Sequence, residues 1–209
     1  MNQITTREKL LNAGLRVLFR RGYIGSGVRD IVAEANIPLG SFTNYFRTKE
    51  GFVFEVLNRY FDNIRLLMGE TLTDKTLSAR ERMKKYLDII SGRLEDDKFE
   101  RGCLIGDLSL EASTHSEVLR ERLAAIFSEW LIPFKECIAQ GQRQGEIPSE
   151  FTPDELAEFL LASWQGAILR MKVERNAAPL DRFKVIALNT VFRSEGEKFL
   201  QAPTGKNAS

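Results

Sequence analysis

Residues 37–52 read "IPLGSFTNYFRTKEGF". Gly40 and Ser41 are weak helix formers, yet Phe42 and Phe46 stand four residues apart, the spacing that puts two side chains on one helix face. Pro38 suits the entry to a helix. The stretch therefore predicts a short helix over about 39–46, with a small-residue front, an aromatic anchor and Lys49 just beyond it. Upstream, Ser26 is placed to cap another short helix over 27–34, with Val28, Ile31 and Val32 facing inward. Asn36, one of the few non-glycine residues that tolerate a left-handed conformation, closes it.

Helix signals continue outward in both directions. Thr5-x-x-Glu8 is a capping box, and Arg20, Arg21 and Gly22 suit the end of the helix it opens, Gly22 as a left-handed cap. After Thr48 a wide apolar stripe runs to about residue 69, and "GETLTDKTLS" breaks it. Ser78-x-x-Glu81, Thr114-x-x-Glu117 and Thr152-Pro153-Asp154-Glu155 predict helices near 78–95, 116–144 and 153–175. A shorter helix is expected over 101–113 and a last one over 180–200, with Pro133 bending the long helix that contains it. No strand alternation competes, so the fold class is all-α, with about nine helices.

The chain has 209 residues, 43% apolar and 28% charged, which is enough to bury a core without disulfides or metals. No apolar run reaches the length of a membrane span, the N-terminus lacks a signal-peptide pattern, and Cys103 and Cys137 make no disulfide framework; a cytoplasmic home is expected. Net charge is +1 but unevenly placed. Residues 1–50 carry eight basic and four acidic side chains, while the remainder carries 22 and 25. A basic front end on a mildly acidic body points to an anionic partner such as nucleic acid.

Two short helices joined by a tight turn have helix-turn-helix geometry, in which the second helix enters the DNA major groove. Gly40 and Ser41 then let its front approach the duplex. Thr43, Asn44 and Tyr45 point outward, Leu39 can touch a thymine methyl, and Lys49 can hold a phosphate. Ser26, Val28 and Arg29, at the front of the preceding helix, complete the expected DNA-facing set. The alternative is an all-α small-molecule-binding or enzymatic protein in which this helix pair is merely structural; the basic front end favours DNA.

Residues 7–53 resemble the N-terminal domain of the TetR family of bacterial transcriptional repressors, and the run "AGLRVLFRRGYIGSGVRDIVAEANIPLGSFTNYFRTKEGFVFEVL" (13–57) follows that family's signature nearly throughout. The chain departs from many members at Leu39, where a lysine is common, and at Thr43, where a tyrosine is. The resemblance implies a DNA-binding domain over 1–50, a ligand-binding and dimerisation domain over 51–200 and a flexible tail over 201–209. It also implies a homodimer on a palindromic operator, released by a small molecule. "RGCLIGDLSLEAS" and "WQGAILRMKVE" are similar to the subgroup containing the regulators of N-ethylmaleimide reductase and of acrylate metabolism. Some of that subgroup sense electrophiles through the cysteine here at Cys103, whose thiol is expected to be acidified by a helix N-terminus and by Arg101.

In the body, Tyr86, Cys103, Trp130, Phe134, Trp164 and Arg170 are candidate ligand contacts. Phe159, Ser163, Trp164, Ala167, Ile168, Met171, Phe183, Ile186 and Val191 are candidate dimer contacts. His115 is the single histidine and looks like an exposed neighbour of a helix cap, and Cys137 like inert packing. No nucleophile motif, metal-ligand spacing or phosphate-cradling glycine loop appears, so no catalytic residue, metal or cofactor is expected.

Overall fold

The structure, a computed structural model, describes residues 5–193. Among them are nine helices and no strand: α1 Thr6–Arg21, α2 Val28–Ala35, α3 Leu39–Thr43, α4 Lys49–Thr71, α5 Ala79–Asp96, α6 Leu104–His115, α7 Glu117–Arg143, α8 Pro153–Glu174 and α9 Ala178–Thr190. The expected last helix beyond residue 193 and the expected flexible tail over 201–209 lie outside the described residues.

Capping chemistry sets most of these starts. The Thr5, Ser78 and Thr152 boxes all form, the last with Pro153 in the first turn of α8. Two expected caps differ. Ser26 Oγ donates to the Tyr23 carbonyl instead of capping α2, and the Asp30 carboxylate accepts the Gly27 N–H at 2.8 Å in its place. Ser116, not Thr114, caps α7, its hydroxyl accepting the Leu119 N–H at 3.1 Å. Asn36 closes α2 at φ 53°, ψ 51°, as its left-handed tolerance predicts. α3 ends earlier than expected because the N–H groups of Tyr45 and Phe46 both bond to the Phe42 carbonyl, tightening the final turn.

α1–α3 and the first turns of α4 share a small core. Phe42, Phe46 and Phe52 meet with ring centroids 4.8–5.4 Å apart. Gly14 of α1 faces Phe52 so closely that a Cβ would lie 2.3 Å from its ring. Below this head, α7 packs against α4, α5, α6 and α8, while α9 lies on α8 and α5. The body is centred on Phe61, Tyr86, Trp130, Phe134 and Trp164, each no more than 1% exposed. Trp130 Nε1 donates to the Tyr86 hydroxyl at 2.9 Å, so the buried indole satisfies its donor.

Candidate nucleic-acid interface and ligand cavity

The front of the head is built by what α3 buries. Phe42 and Phe46 face inward, which turns Thr43, Asn44 and Tyr45 to solvent, together with Leu39 and Gly40; Ser41 is half-buried. A Cβ on Gly40 would meet nothing within 4 Å, so its space is free for an approaching surface. Thr43 Oγ1 donates to the Gly40 carbonyl at 2.9 Å, leaving its lone pairs free to accept. Arg29 is exposed on α2, and Val28 is half-buried beside it.

Two members of the expected set face elsewhere. Ser26 is 4% exposed and occupied with Tyr23. The Lys49 ammonium donates to the Tyr23 carbonyl and stands 4.5 Å from the Tyr23 ring centroid, so it pins the α1–α2 loop instead of reaching out for a phosphate. Burial pulls its pKa down, against the raising influence of Glu111 and Asp30. Most other basic residues of the head are paired internally: Arg7 with Glu55, Arg16 and Arg20 with Glu34, and Arg21 with Asp30. The exposed cations left beside α3 are Arg29 and Arg47. The sequence reading passed over Arg47; its signal was a basic residue one position after the last anchoring aromatic.

The body holds a cleft of about 550 Å³ between α1, α4, α5, α7 and α8. Cys103, Trp130 and Trp164 line it, with Tyr60, Ile90 and Ile168. Tyr86 and Phe134 stand behind the wall, Tyr86 bonded to Trp130 and stacked edge-on against Phe134 at 5.3 Å. Arg170 is excluded: it lies exposed on the other side of α8 in an ion pair with Glu174 at 2.5 Å. Trp164 Nε1 is buried with no acceptor among the described residues.

Cys103 is the N-cap of α6 and is 7% exposed. Burial pushes its thiol up, not down. Hydrogen bonds from the Gly106 and Ile105 N–H groups, the Gln165 amide and the Tyr60 hydroxyl oppose that rise without reversing it. The expected help from Arg101 fails because Arg101 forks onto Asp97, Nε to Oδ2 at 2.7 Å. Asp107 is turned to Lys172 at 2.8 Å. Cys137 is buried as expected, its thiol pushed up to about 11 by burial.

From Cys103, α6 runs to the head. One Glu111 carboxylate oxygen accepts the N–H groups of Tyr23 and Ile24, at 2.8 and 3.1 Å. The adjoining Gly22 has φ 67° and ψ −169°, outside the left-handed helical region expected for a cap, and a Cβ there would lie 2.2 Å from Glu111 Oε1. Glycine is needed here both for this backbone and for the carboxylate's approach. A second link joins the Ser116 hydroxyl to the Glu50 carboxylate.

The expected dimer face is partly inverted. Trp164, Ala167, Ile168, Met171 and Val191 are buried within their own chain, Trp164 against Phe183 at 5.2 Å. α8 is packed between α7 and α9, so only one stripe remains outside. That stripe is Phe159, Ala162, Gly166, Leu169 and Val173, spaced alternately three and four residues apart. Ser163 is half-buried at its edge, and Val185 and Ile186 of α9 are exposed.

Family models match both parts of the chain. Residues 10–56 match the model of "Bacterial regulatory proteins, tetR family", and residues 79–186 that of "Tetracyclin repressor-like, C-terminal domain". The chain is similar to the HTH-type transcriptional repressor DhaR of Mycobacterium sp. (strain GP1), 42% identical over 93% of this chain and 96% of that one. It is also similar to the HTH-type transcriptional repressor NemR of Escherichia coli (strain K12), 28% identical over 84% of this chain and 88% of that one. Among solved structures, a CifR cysteine mutant complexed with 26-bp double-strand operator DNA superposes with a TM-score of 0.77 at 26% identity, covering 90% of this chain and 98% of that one.

Proposed function

The chain belongs to the tetR family of bacterial regulatory proteins, and from that premise we propose that its operator contact is made by α3 and that a small molecule in the 550 Å³ cleft releases it. The protein is a ligand-responsive, DNA-binding transcriptional repressor. Leu39, Gly40, Thr43, Asn44 and Tyr45 form the surface that meets base edges, while Arg29 and Arg47 meet phosphate. Residues 1–50 act as the head and 51–200 as the body, with the first turns of α4 lodged in the head core. Two copies pair through the Phe159–Leu169–Val173 stripe and α9, presenting two heads to a palindromic operator in the cytoplasm. The role is binding; no catalytic step is assigned.

The observation that carries release is α6, which starts in the cleft wall at Cys103 and, about two turns on, holds the α1–α2 loop through Glu111. Occupancy that moves its first turn also moves the loop that positions α2 and α3. The test is fluorescence anisotropy with DNA flanking the gene, across a salt series. Specific, salt-dependent binding that leaves scrambled DNA unbound supports the reading, and equal weak binding to both refutes it.

Cys103 favours a second reading of the inducer, a reactive electrophile. Its sulfur lines the cleft, and four hydrogen-bond donors surround it. With an activated alkene the thiol proton leaves to solvent, a carbon–sulfur bond forms as the π bond breaks, and the α-carbon takes up a proton. Operator release by N-ethylmaleimide in the wild type but not in Cys103→Ser supports this; release of both assigns a non-covalent inducer.

A further inference from the structure

α6 buries Leu104, Ile105, Leu108 and Ala112 and turns Leu110 away from them. Leu110 is 74% exposed, more than any other leucine among the described residues, and neither the DNA-facing surface nor the ligand cleft uses it. Beside it runs a groove of about 190 Å³ between α6 and α8. Gly102, Gly106 and Leu110 lie on one side of the groove, and Gly166, Ile168 and Leu169 on the other. Its polar groups are already used: Asp107 of α6 pairs with Lys172 of α8 at 2.8 Å, and the Gln165 amide donates to the Cys103 sulfur at 3.6 Å. The walls therefore carry no free charge, and the volume is below the roughly 300 Å³ at which drug-sized ligand pockets begin. Such a groove suits an apolar side chain from another protein surface, not a charged or drug-sized ligand.

Gly166 and Leu169 also belong to the exposed stripe of α8, so groove and stripe form one continuous surface. We propose that a second copy of this chain fills the groove, burying Leu110 and extending the dimer contact from α8 onto α6. The inference rests on the reading that the α8 stripe pairs two copies. A two-fold interface uses the same patch on both copies, so the two grooves are filled reciprocally. Phe159 and Val173 of the stripe, 58% and 76% exposed, are apolar side chains available to enter them. Contiguous exposed apolar surface of this kind marks an interaction site, whereas a single exposed leucine on an isolated helix would not. Gly102, Cys103 and Ile168 line both this groove and the 550 Å³ cleft. The second copy thus rests on the back of the cleft wall, and an inducer that shifts that wall also shifts the seat of the partner.

The test is sedimentation velocity of the full chain over a concentration series, comparing wild type, Leu110→Glu and Leu169→Glu. Leu110 is exposed within its own chain, so Leu110→Glu keeps the protomer folded. Symmetry places the substitution in the interface twice, and the dimer Kd should rise roughly ten- to a hundredfold. A second readout is accessibility. In a Cys103→Ser/Cys137→Ser background, Leu110→Cys should react with a fluorescent maleimide much more slowly above the dimer Kd than below it. A wild-type Kd in Leu110→Glu, or equal labelling of Leu110→Cys above and below the Kd, overturns the proposal. Dissociation by Leu169→Glu with no effect at Leu110 confines the dimer contact to α8 and overturns the groove alone. A wild-type Kd in both Leu110→Glu and Leu169→Glu overturns the pairing through α8 as well.

Discussion

Replacing Gly22 with alanine should damage both stability and operator binding through a single contact. The Gly22 backbone, at φ 67° and ψ −169°, occupies a region that is essentially glycine-only. Forcing alanine into it costs about 1–3 kcal/mol. The new Cβ would also lie 2.2 Å from Glu111 Oε1, so the carboxylate must swing away and abandon the Tyr23 and Ile24 N–H groups. Hydrogen bonds to charged groups contribute about 1.5–3 kcal/mol when protected, and this loop is partly wet, so about 1–2 kcal/mol for the pair is the sensible discount. The sum is about 2–5 kcal/mol for Gly22→Ala and about 1–2 for Glu111→Ala. Because the alanine already expels the carboxylate, adding Glu111→Ala to Gly22→Ala should cost almost nothing more. Urea unfolding of the two single variants and the double variant measures this non-additivity, and operator titration should follow the same order. Strict additivity, or a Gly22→Ala cost below about 0.5 kcal/mol, the scatter of an ordinary surface substitution, would refute the coupling of α6 to the head.

Leu169→Glu should dissociate the dimer in sedimentation while leaving the protomer folded, whereas Ile168→Glu, one residue away but buried, should unfold it; the reverse pattern would restore the face expected from sequence. Thr43→Ala and Asn44→Ala should each cost about 1–3 kcal/mol on the preferred operator if they read bases, seen as a flattened preference among operator variants. Arg47→Ala should lower the log–log salt slope by about one, while Lys49→Ala should chiefly lower Tm, because its ammonium holds the Tyr23 carbonyl. The raised pKa of Cys103 means that the buried thiol is protonated in the neutral range. Its contribution to stability is fully present below the ordinary thiol pKa and is lost as pH rises through the raised folded value. Alkylation of Cys103 should therefore keep accelerating, about tenfold per pH unit, past the ordinary thiol pKa. A plateau near neutral pH would show an acidified thiol instead.

The helices and the identity of the head are legible in the sequence alone. Capping boxes act within four residues, so Thr5, Ser78 and Thr152 declared their helices locally, and the Phe42/Phe46 spacing declared which face α3 would bury. Which way a polar or borderline side chain turns depends on elements distant in the chain. Lys49 reads as a phosphate ligand until the α1–α2 loop brings the Tyr23 carbonyl to it. Arg101 reads as a thiol activator until Asp97 takes its fork. α8 is apolar over most of its circumference, so periodicity could not say which stripe would face α7 and α9 and which a second copy. Glu111 carried no local signal at all: its partners lie 88 and 87 residues earlier, and only the packing of α6 on the head brings them together.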